Sequence, residues 1–255
     1  MSKIGIFILS SEEDLFRVTA QMLKKYYNSV IEKYNLDVEV FSFIGSNSEK
    51  ETYLEGDTLY CKCDNKDLYH KHIELFKYIL ANKDYDFFIS TNSSTIVNIP
   101  LIYKNLSVFN SNSFYTQFAF ISNLSTKIEP FLYPNGNFKL FSLEIMRDIL
   151  DNFEKVHDIL YEDYVKIEYR KSPDVKWEGV PEDIIIGAYL ALNKINIYEI
   201  NNSIRLFNFY NLLQENIDIP IKEAPIIQFK LPVNYKIREL VEPQLLNFLI
   251  QQIGI

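Results

Sequence analysis

Apolar and polar positions change period several times along this chain, and each change marks an element. Ile4 to Leu9 is an unbroken apolar run, the pattern of a central strand covered on both faces. Ser10 and Glu13 have the spacing of a capping box, and Leu15, Val18, Met22, Tyr26 and Val30 follow at helical intervals. Asp37 to Phe43 reads as a second strand, and Asp57 to Cys63 as a third, short and alternating. Asp67 to Asn82 predicts a helix with Leu68, Leu75, Phe76, Ile79 and Leu80 on its buried side. Tyr85 to Ser90 is the next strand. Strands alternating with helices predict an α/β fold with a mostly parallel sheet.

The second half is more mixed. Thr116 to Ser122 and Phe138 to Phe141 read as strands, and Ser142 can cap a helix through Leu150. Pro181 suits the first turn of another helix, and Glu182 and Asp183 suit its positive end. Asn196 to Ile200, Ile204 to Tyr210 and Ile226 to Leu231 are short strand patterns. Ile237, Leu240, Val241, Leu245, Leu249 and Ile253 mark a C-terminal helical region that Pro243 is expected to interrupt. No repeat, low-complexity tract or linker divides the sequence. The expectation is a single domain over residues 1–255, with a mostly parallel central sheet flanked by helices and a mixed C-terminal half.

Composition narrows the function classes. At 255 residues and 47% hydrophobic, the chain can bury a large core. A net charge of -8 and a pI near 5.0 argue against a broad phosphate-binding surface, so nucleic acid is not an expected partner. Seven glycines leave no dinucleotide or Walker-type loop. Cys61 and Cys63 are too close in an extended segment for good disulfide geometry, and no zinc set accompanies them. They are expected to be reduced and packed in or near the core. His70, His72 and His157 form no ligand cluster by spacing. No apolar run reaches the ~18 residues of a membrane span, and the N-terminal run is too short for a signal peptide. The expectation is a cytoplasmic protein with no membrane span.

The chemistry concentrates in three places. Asp86-Phe-Phe-Ile-Ser-Thr-Asn-Ser-Ser-Thr-Ile-Val-Asn98 is an apolar strand that ends on Asn92, Ser93 and Ser94. The carboxyl end of such a strand is where an open α/β sheet takes its ligand. Asn-Ser-Ser is also ordinary turn composition, whereas Asn92 can offer both donor and acceptor to ribose or sugar hydroxyls. Glu182 and Asp183 fit either a helix first turn or a general base. Trp177, the single Trp, lies beside Glu178 and is either a packing residue or a stacking wall for an acceptor sugar. Lys71, Lys139, Lys230 and Arg238 are solvated charges by default and the cationic candidates by position.

Three blocks, in order, resemble the fringe-like (β-1,3-galactosyltransferase-like) branch of GT-A glycosyltransferases and its divergent bacterial and viral relatives. Ahead of them, Asp64 to Lys71 is faintly similar to the family's acidic-then-Lys segment. In the Asp86 to Asn98 block, Thr91 and Asn98 keep the frame of the family's metal-binding segment, and Asn92, Ser93 and Ser94 stand where it has three aspartates. Gly136-Asn-Phe-Lys-Leu-Phe-Ser142 and Glu182-Asp-Ile-Ile-Ile-Gly187 resemble the family's Gly-containing segment and its acidic pair.

The resemblance implies a GT-A-like domain with a nucleotide-binding half (1–98) and an acceptor half (99–255). It implies inverting transfer from a nucleotide-sugar, a UDP-sugar first, to a glycan or other hydroxyl acceptor. Asp183 would be the base, beside Glu182. Donor contacts would come from Thr91, Asn92, Ser93, Ser94, Lys71 and Gly136, acceptor contacts from Trp177 and Glu178, and diphosphate contacts from Lys230 and Arg238. The family holds Mn²⁺ through aspartates and a His. Gln228 stands at the His position, and hard divalent cations prefer carboxylates. No metal ligand is assigned, and the expected dependence on Mn²⁺ or Mg²⁺ is weak or absent. The alternative is a catalytically inactive member of the fold that binds a nucleotide, sugar or protein partner.

Overall fold

A computed structural model describes residues 2–46, 51–65, 67–123, 127–171, 180–205, 221–230 and 235–254. Its first strand, β1 (Ile4–Leu9), explains why that run is apolar throughout. Ile4, Ile6 and Ile8 pack under helix α1 (Asp14–Tyr34), while Phe7 joins the core on the opposite face. β2 (Val38–Gly45) follows α1, then the hairpin of β3 (Tyr53–Glu55) and β4 (Thr58–Cys61), then α2 (Leu68–Asn82) and β5 (Phe87–Asn92). Short β6 (Thr95–Val97) and α3 (Ile99–Lys104) lead to β7 (Phe114–Thr116).

Beyond β7 come β8 (Ala119–Ser122), β9 (Phe131–Pro134) and β10 (Phe138–Ser142). The long α4 (Leu143–Lys171), α5 (Glu182–Leu192), β11 (Ile197–Glu199), β12 (Ile204–Arg205), β13 (Ile226–Gln228) and α6 (Tyr235–Ile253) complete the described elements.

The result is a mixed α/β fold around an eight-stranded sheet of order β11-β7-β10-β5-β1-β2-β4-β3. β1 is parallel to β2 and β5, and β2 is parallel to β4. β10 runs antiparallel to both β5 and β7, so the second half adds the mixed character that its patterning predicts. β12, β13 and β6 form a small second sheet, and β8 and β9 a two-stranded ribbon. Residues of α1, α3 and α6 pack on one face of the large sheet, and residues of α2, α4 and α5 on the other. The second face is aromatic. Phe7 and Phe41 stack at 5.1 Å, and Phe114 and Phe141 at 4.8 Å, each pair adding about 1 kcal/mol beyond its buried area.

Several local expectations change. Ser10 does not cap α1, because its N–H continues the strand pairing to the Phe43 carbonyl at 3.0 Å. Its hydroxyl instead donates to Phe16 O at 3.1 Å, and Glu13 occupies the cap position without a side-chain bond. Thr116 to Ser122 is two strands in different sheets. The Thr116 hydroxyl lies 3.2 Å from Phe118 O and 3.0 Å from Phe138 O, which fixes the turn between them. α6 is not interrupted at Pro243. Leu245, Leu246 and Leu249 are fully buried beyond it, and that packing outweighs one missing backbone bond. β3 goes unpredicted, although Gly56, at φ 58, supplies the left-handed turn residue it needs. Ser142 does accept from Ile145 N at 3.2 Å, as a cap should, but the helix it starts runs well past Leu150. Cys61 is buried and Cys63 half-buried, both free. The parts of the Ile204 to Tyr210 and Ile226 to Leu231 patterns beyond 205 and 230 lie outside the described residues.

Gly187 sets how closely α5 lies on β9. A Cβ there would come within 2.4 Å of Tyr133 Cβ and 2.7 Å of the Leu132 carbonyl. Gly187→Ala is therefore expected to destabilise by about 2 kcal/mol or more, since backbone must shift to relieve the clash. A urea midpoint equal to that of the parent chain would refute this account of the α5–β9 contact.

Candidate active site

The carboxyl ends of β1 and β5 open into a cavity of about 500 Å³, a normal size for a small-molecule site. Leu9, Ser10 and Ser11 line it from β1, and Asn92, Ser93 and Ser94 from β5. Asn65 and Lys71 come from the start of α2, Gly136 and Asn137 from the turn before β10, and Glu182 and Asp183 from the first turn of α5. Lys230 and Arg238 close the remaining side.

The β5 turn is built by its own side chains. Asn92 Oδ1 accepts from Ser94 N at 3.0 Å and from Thr95 Oγ1 at 2.9 Å. Its amide nitrogen donates to Asn137 Oδ1 at 2.6 Å. The Asn92 oxygen is thus already engaged by two donors, and Asn92 acts first as a turn builder. Thr91 is buried and does not line the cavity; its hydroxyl donates to the Asn137 carbonyl at 3.0 Å and fixes the neighbouring strand.

The cations differ in how far they are already satisfied. Arg238 grips Glu242 one helical turn on, at 2.6 and 3.0 Å, with Ser94 Oγ 3.4 Å away. Its charge is balanced inside α6. Lys71 Nζ donates to the Asn65 carbonyl at 2.5 Å, and burial lowers its proton affinity. That loop can cross so closely because Gly45 has no side chain; a Cβ would sit 2.6 Å from Asp64 O. Lys230 is exposed and has no ion-pair partner among the described residues.

The acidic pair divides its roles. Glu182 is buried and contacts Lys139 Nζ at 2.7 Å. Burial alone would raise its carboxyl, but the ammonium outweighs burial and holds it well below the usual range. His72 Nε2 lies 3.9 Å from the same oxygen. His72 Nδ1 donates to the Leu68 carbonyl at 2.9 Å, and burial drops the ring to about 4, so it is neutral. Asp183 is half-buried, with Oδ2 facing Gly136 and Oδ1 accepting from Ile184 N at 2.9 Å. Burial first, and the Glu182 charge second, push its carboxyl up to about 7.

The cavity thus gathers Asn92, Ser93, Ser94, Lys71, Gly136, Glu182, Asp183, Lys230 and Arg238 from the residues expected by sequence. Thr91 and Lys139 stand behind the wall, and Trp177 and Glu178 lie outside the described residues. Sequence reasoning missed His72, Asn137 and Glu242. The spacing of Arg238 and Glu242 was a readable signal; the buried role of His72 was not. The donor set does not suit a divalent cation. No group of three or more His, Cys, Asp or Glu is placed to hold a metal among the described residues. Asn92 Oδ1 is engaged, and Gln228 Oε1 accepts from Arg205 Nε at 2.8 Å.

No family model matches the chain, and no curated protein does. Solved structures of similar overall shape include a glycosyltransferase involved in glycosylation of the major capsid of PBCV-1. It is 12% identical at a TM-score of 0.44, over 95% of this chain and 99% of that one. A second is the galactosyltransferase LgtC in complex with donor and acceptor sugar analogs. It is 12% identical at 0.46, over 98% and 96% of the two chains. The glycosyltransferase GlyE of Streptococcus pneumoniae TIGR4 is 12% identical at 0.41, over 99% and 63%. Among the described residues no helix is long and apolar enough to cross a membrane.

Two stability predictions follow from the charges. In the unfolded chain Asp183 loses its proton near 4, whereas in the folded chain it holds it to about 7. Stability attributable to this group therefore falls as pH rises from 4 to 7, and the loss is complete above 7. Asp183→Asn should be more stable than the parent at pH 8 by about 2 kcal/mol, with the difference vanishing below pH 4. Urea titrations at both pH values check the sign. Lys139→Met should cost about 3–5 kcal/mol at pH 8, because Glu182 is left buried and unpaired, and less at pH 5.

Proposed function

We propose that this protein is an inverting glycosyltransferase acting on a nucleotide-sugar, with a UDP-sugar as first candidate and a glycan or other hydroxyl compound as acceptor. The observation that carries the reading is the place of Asp183, a half-buried carboxyl on the wall of the carboxyl-edge cavity beside Glu182, where burial and that neighbouring charge raise its proton affinity. The acceptor oxygen attacks the anomeric carbon as the bond from that carbon to the diphosphate oxygen breaks. The bonding pair leaves with the diphosphate, and the acceptor proton goes to ionised Asp183. Developing negative charge on the diphosphate needs preorganised donors. Lys230, which has no ion-pair partner among the described residues, is the candidate for that task, with Lys71 and Arg238 also lining the cavity.

Ser93 and Ser94 offer hydroxyls to the donor, and Gly136 lets it approach Asp183 closely. The three sequence blocks support the same reading, since the Asp86–Asn98, Gly136–Ser142 and Glu182–Gly187 segments all bring residues to the cavity, as does the fainter Asp64–Lys71 segment. The proposal assigns charge neutralisation to side chains and not to a protein-held cation, because the side-chain oxygens at the β5 turn are neutral and that of Asn92 is already engaged by two donors.

The test is a thermal-shift screen of UDP, GDP, CDP, dTDP and their sugars, each with Mn²⁺ and with EDTA, followed by transfer assays with the stabilising donor. Binding to the folded state alone raises the melting temperature. The expected result is stabilisation by one nucleotide family, unchanged by EDTA. Asp183→Asn should then keep donor binding and lose at least about 100-fold in transfer. Parent activity should rise with pH through about 7, because the base must be ionised. Full activity in a folded Asp183→Asn protein would remove the proposed base. Donor binding without transfer or hydrolysis would favour the inactive, ligand-binding alternative.

A further inference from the structure

Two carboxyls stand side by side in the first turn of α5, and the groups behind them are not symmetric. Lys139 enters from β10 and His72 from α2, both almost fully buried. Neither lines the cavity, whereas Asp183 does. We propose that Lys139, acting through Glu182, is a positioning residue that places the proton of this acidic pair on Asp183, the less buried of the two carboxyls on the cavity wall. The inference rests on, and deepens, the reading of Asp183 as the base.

Adjacent carboxyls in a desolvated site cannot both ionise cheaply, so one of them keeps a proton near neutrality. The nearest cation decides which. Lys139 Nζ is 2.7 Å from Glu182 Oε1, and that contact holds Glu182 ionised. The next proton then falls to Asp183, which feels burial and the Glu182 charge together. His72 adds no second cation, because its Nδ1–H is committed to Leu68 O and burial keeps the ring neutral. The remaining groups leave this balance intact. Lys71 of α2 acts on His72, Tyr133 of β9 faces Asp183, and α4 presents Asp148 and Asp151 to Tyr189, further along α5. Without Lys139, the more deeply buried Glu182 would take the proton and Asp183 would be left ionised at neutral pH.

The experiment is a carbon-13 NMR titration of Asp and Glu carboxyls in the full chain, with Asp183 assigned by loss of its signal in Asp183→Asn. In the parent, Asp183 should titrate near 7 and Glu182 should stay ionised well below that pH. Glu182→Gln removes the like charge and leaves the ammonium, so the Asp183 midpoint should fall by about one unit or more. Lys139→Met should move the neutral-pH titration to Glu182, and Lys139→Arg should restore the parent pattern. A purely structural role would lower melting temperatures and leave the midpoints in place. Movement of the Asp183 midpoint by less than about half a unit in folded Glu182→Gln overturns the proposal, whether or not Lys139→Met folds. The titration needs neither donor nor turnover. Failure of nucleotide-sugar binding would leave the proposal standing, and an active transferase with unmoved midpoints would overturn it alone.

Discussion

β10 lies antiparallel between β5 and β7, with Phe138 opposite Thr91 and Lys139 opposite Ser90. This register fixes most of what is distinctive in the molecule. It ties residues after 98 into the sheet begun by β1, β2, β4 and β5. It brings the turn before β10 against the end of β5, where Asn137 receives the bonds of Thr91 and Asn92. It also directs Lys139 to the face that carries α5, where the ammonium meets Glu182. Because side chains alternate along a strand, a slip of one residue would turn Lys139 away from that face and expose Phe138 or Leu140 to the wrong core.

The cavity is therefore charged but mostly self-balanced. Arg238 is held by Glu242, and Lys139 by Glu182, both pairs deeply buried. Such pairs contribute little net stability, since desolvation offsets most of their attraction, yet losing one partner is severe. Their value here is placement. Each pair sets a charged group at a known point without leaving a free charge in the wall. Among the described residues, Lys230 and Asp183 line the cavity with no ion-pair partner, and under the proposed function they are the groups available for chemistry.

The alternation of apolar runs and helical periods made the parallel half of the sheet legible, because buried parallel strands must be apolar on both sides. β1 is the clearest example, matching its run from Ile4 to Leu9. The pairing of β10 was not legible, since Phe-Lys-Leu-Phe-Ser gives a strand without naming its neighbours or its direction. The α1 cap failed for a related reason: Ser10 extends the strand pairing, and only the sheet decides that. At the site, the end of β5 and the acidic pair could be found because each sits at an element boundary, whereas the end of β1, whose Ser10 reads as a helix cap, was missed. The distinct roles of Glu182 and Asp183 could not, because they depend on Lys139, 43 residues away in sequence from its partner.

The neutral turn after β5 has a physical rationale within this arrangement. Three carboxylates at such a turn would repel one another by about 1 kcal/mol per pair at 4 Å in water, and more in a partly desolvated cavity, unless a cation sat among them. Asn92, Ser93 and Ser94 avoid that repulsion. Asn92 closes the turn through Ser94 N and Thr95 Oγ1, so the turn is formed without any ligand. A neutral β5 wall also places no carboxylate against Lys230 from that side, which suits the anionic donor of the proposed function. It further means that the carboxyl side of the cavity is confined to α5 and Glu13. Under the proposed function, Asp183 would take the acceptor proton while Lys230 meets the leaving diphosphate, so one side chain need not serve both charges.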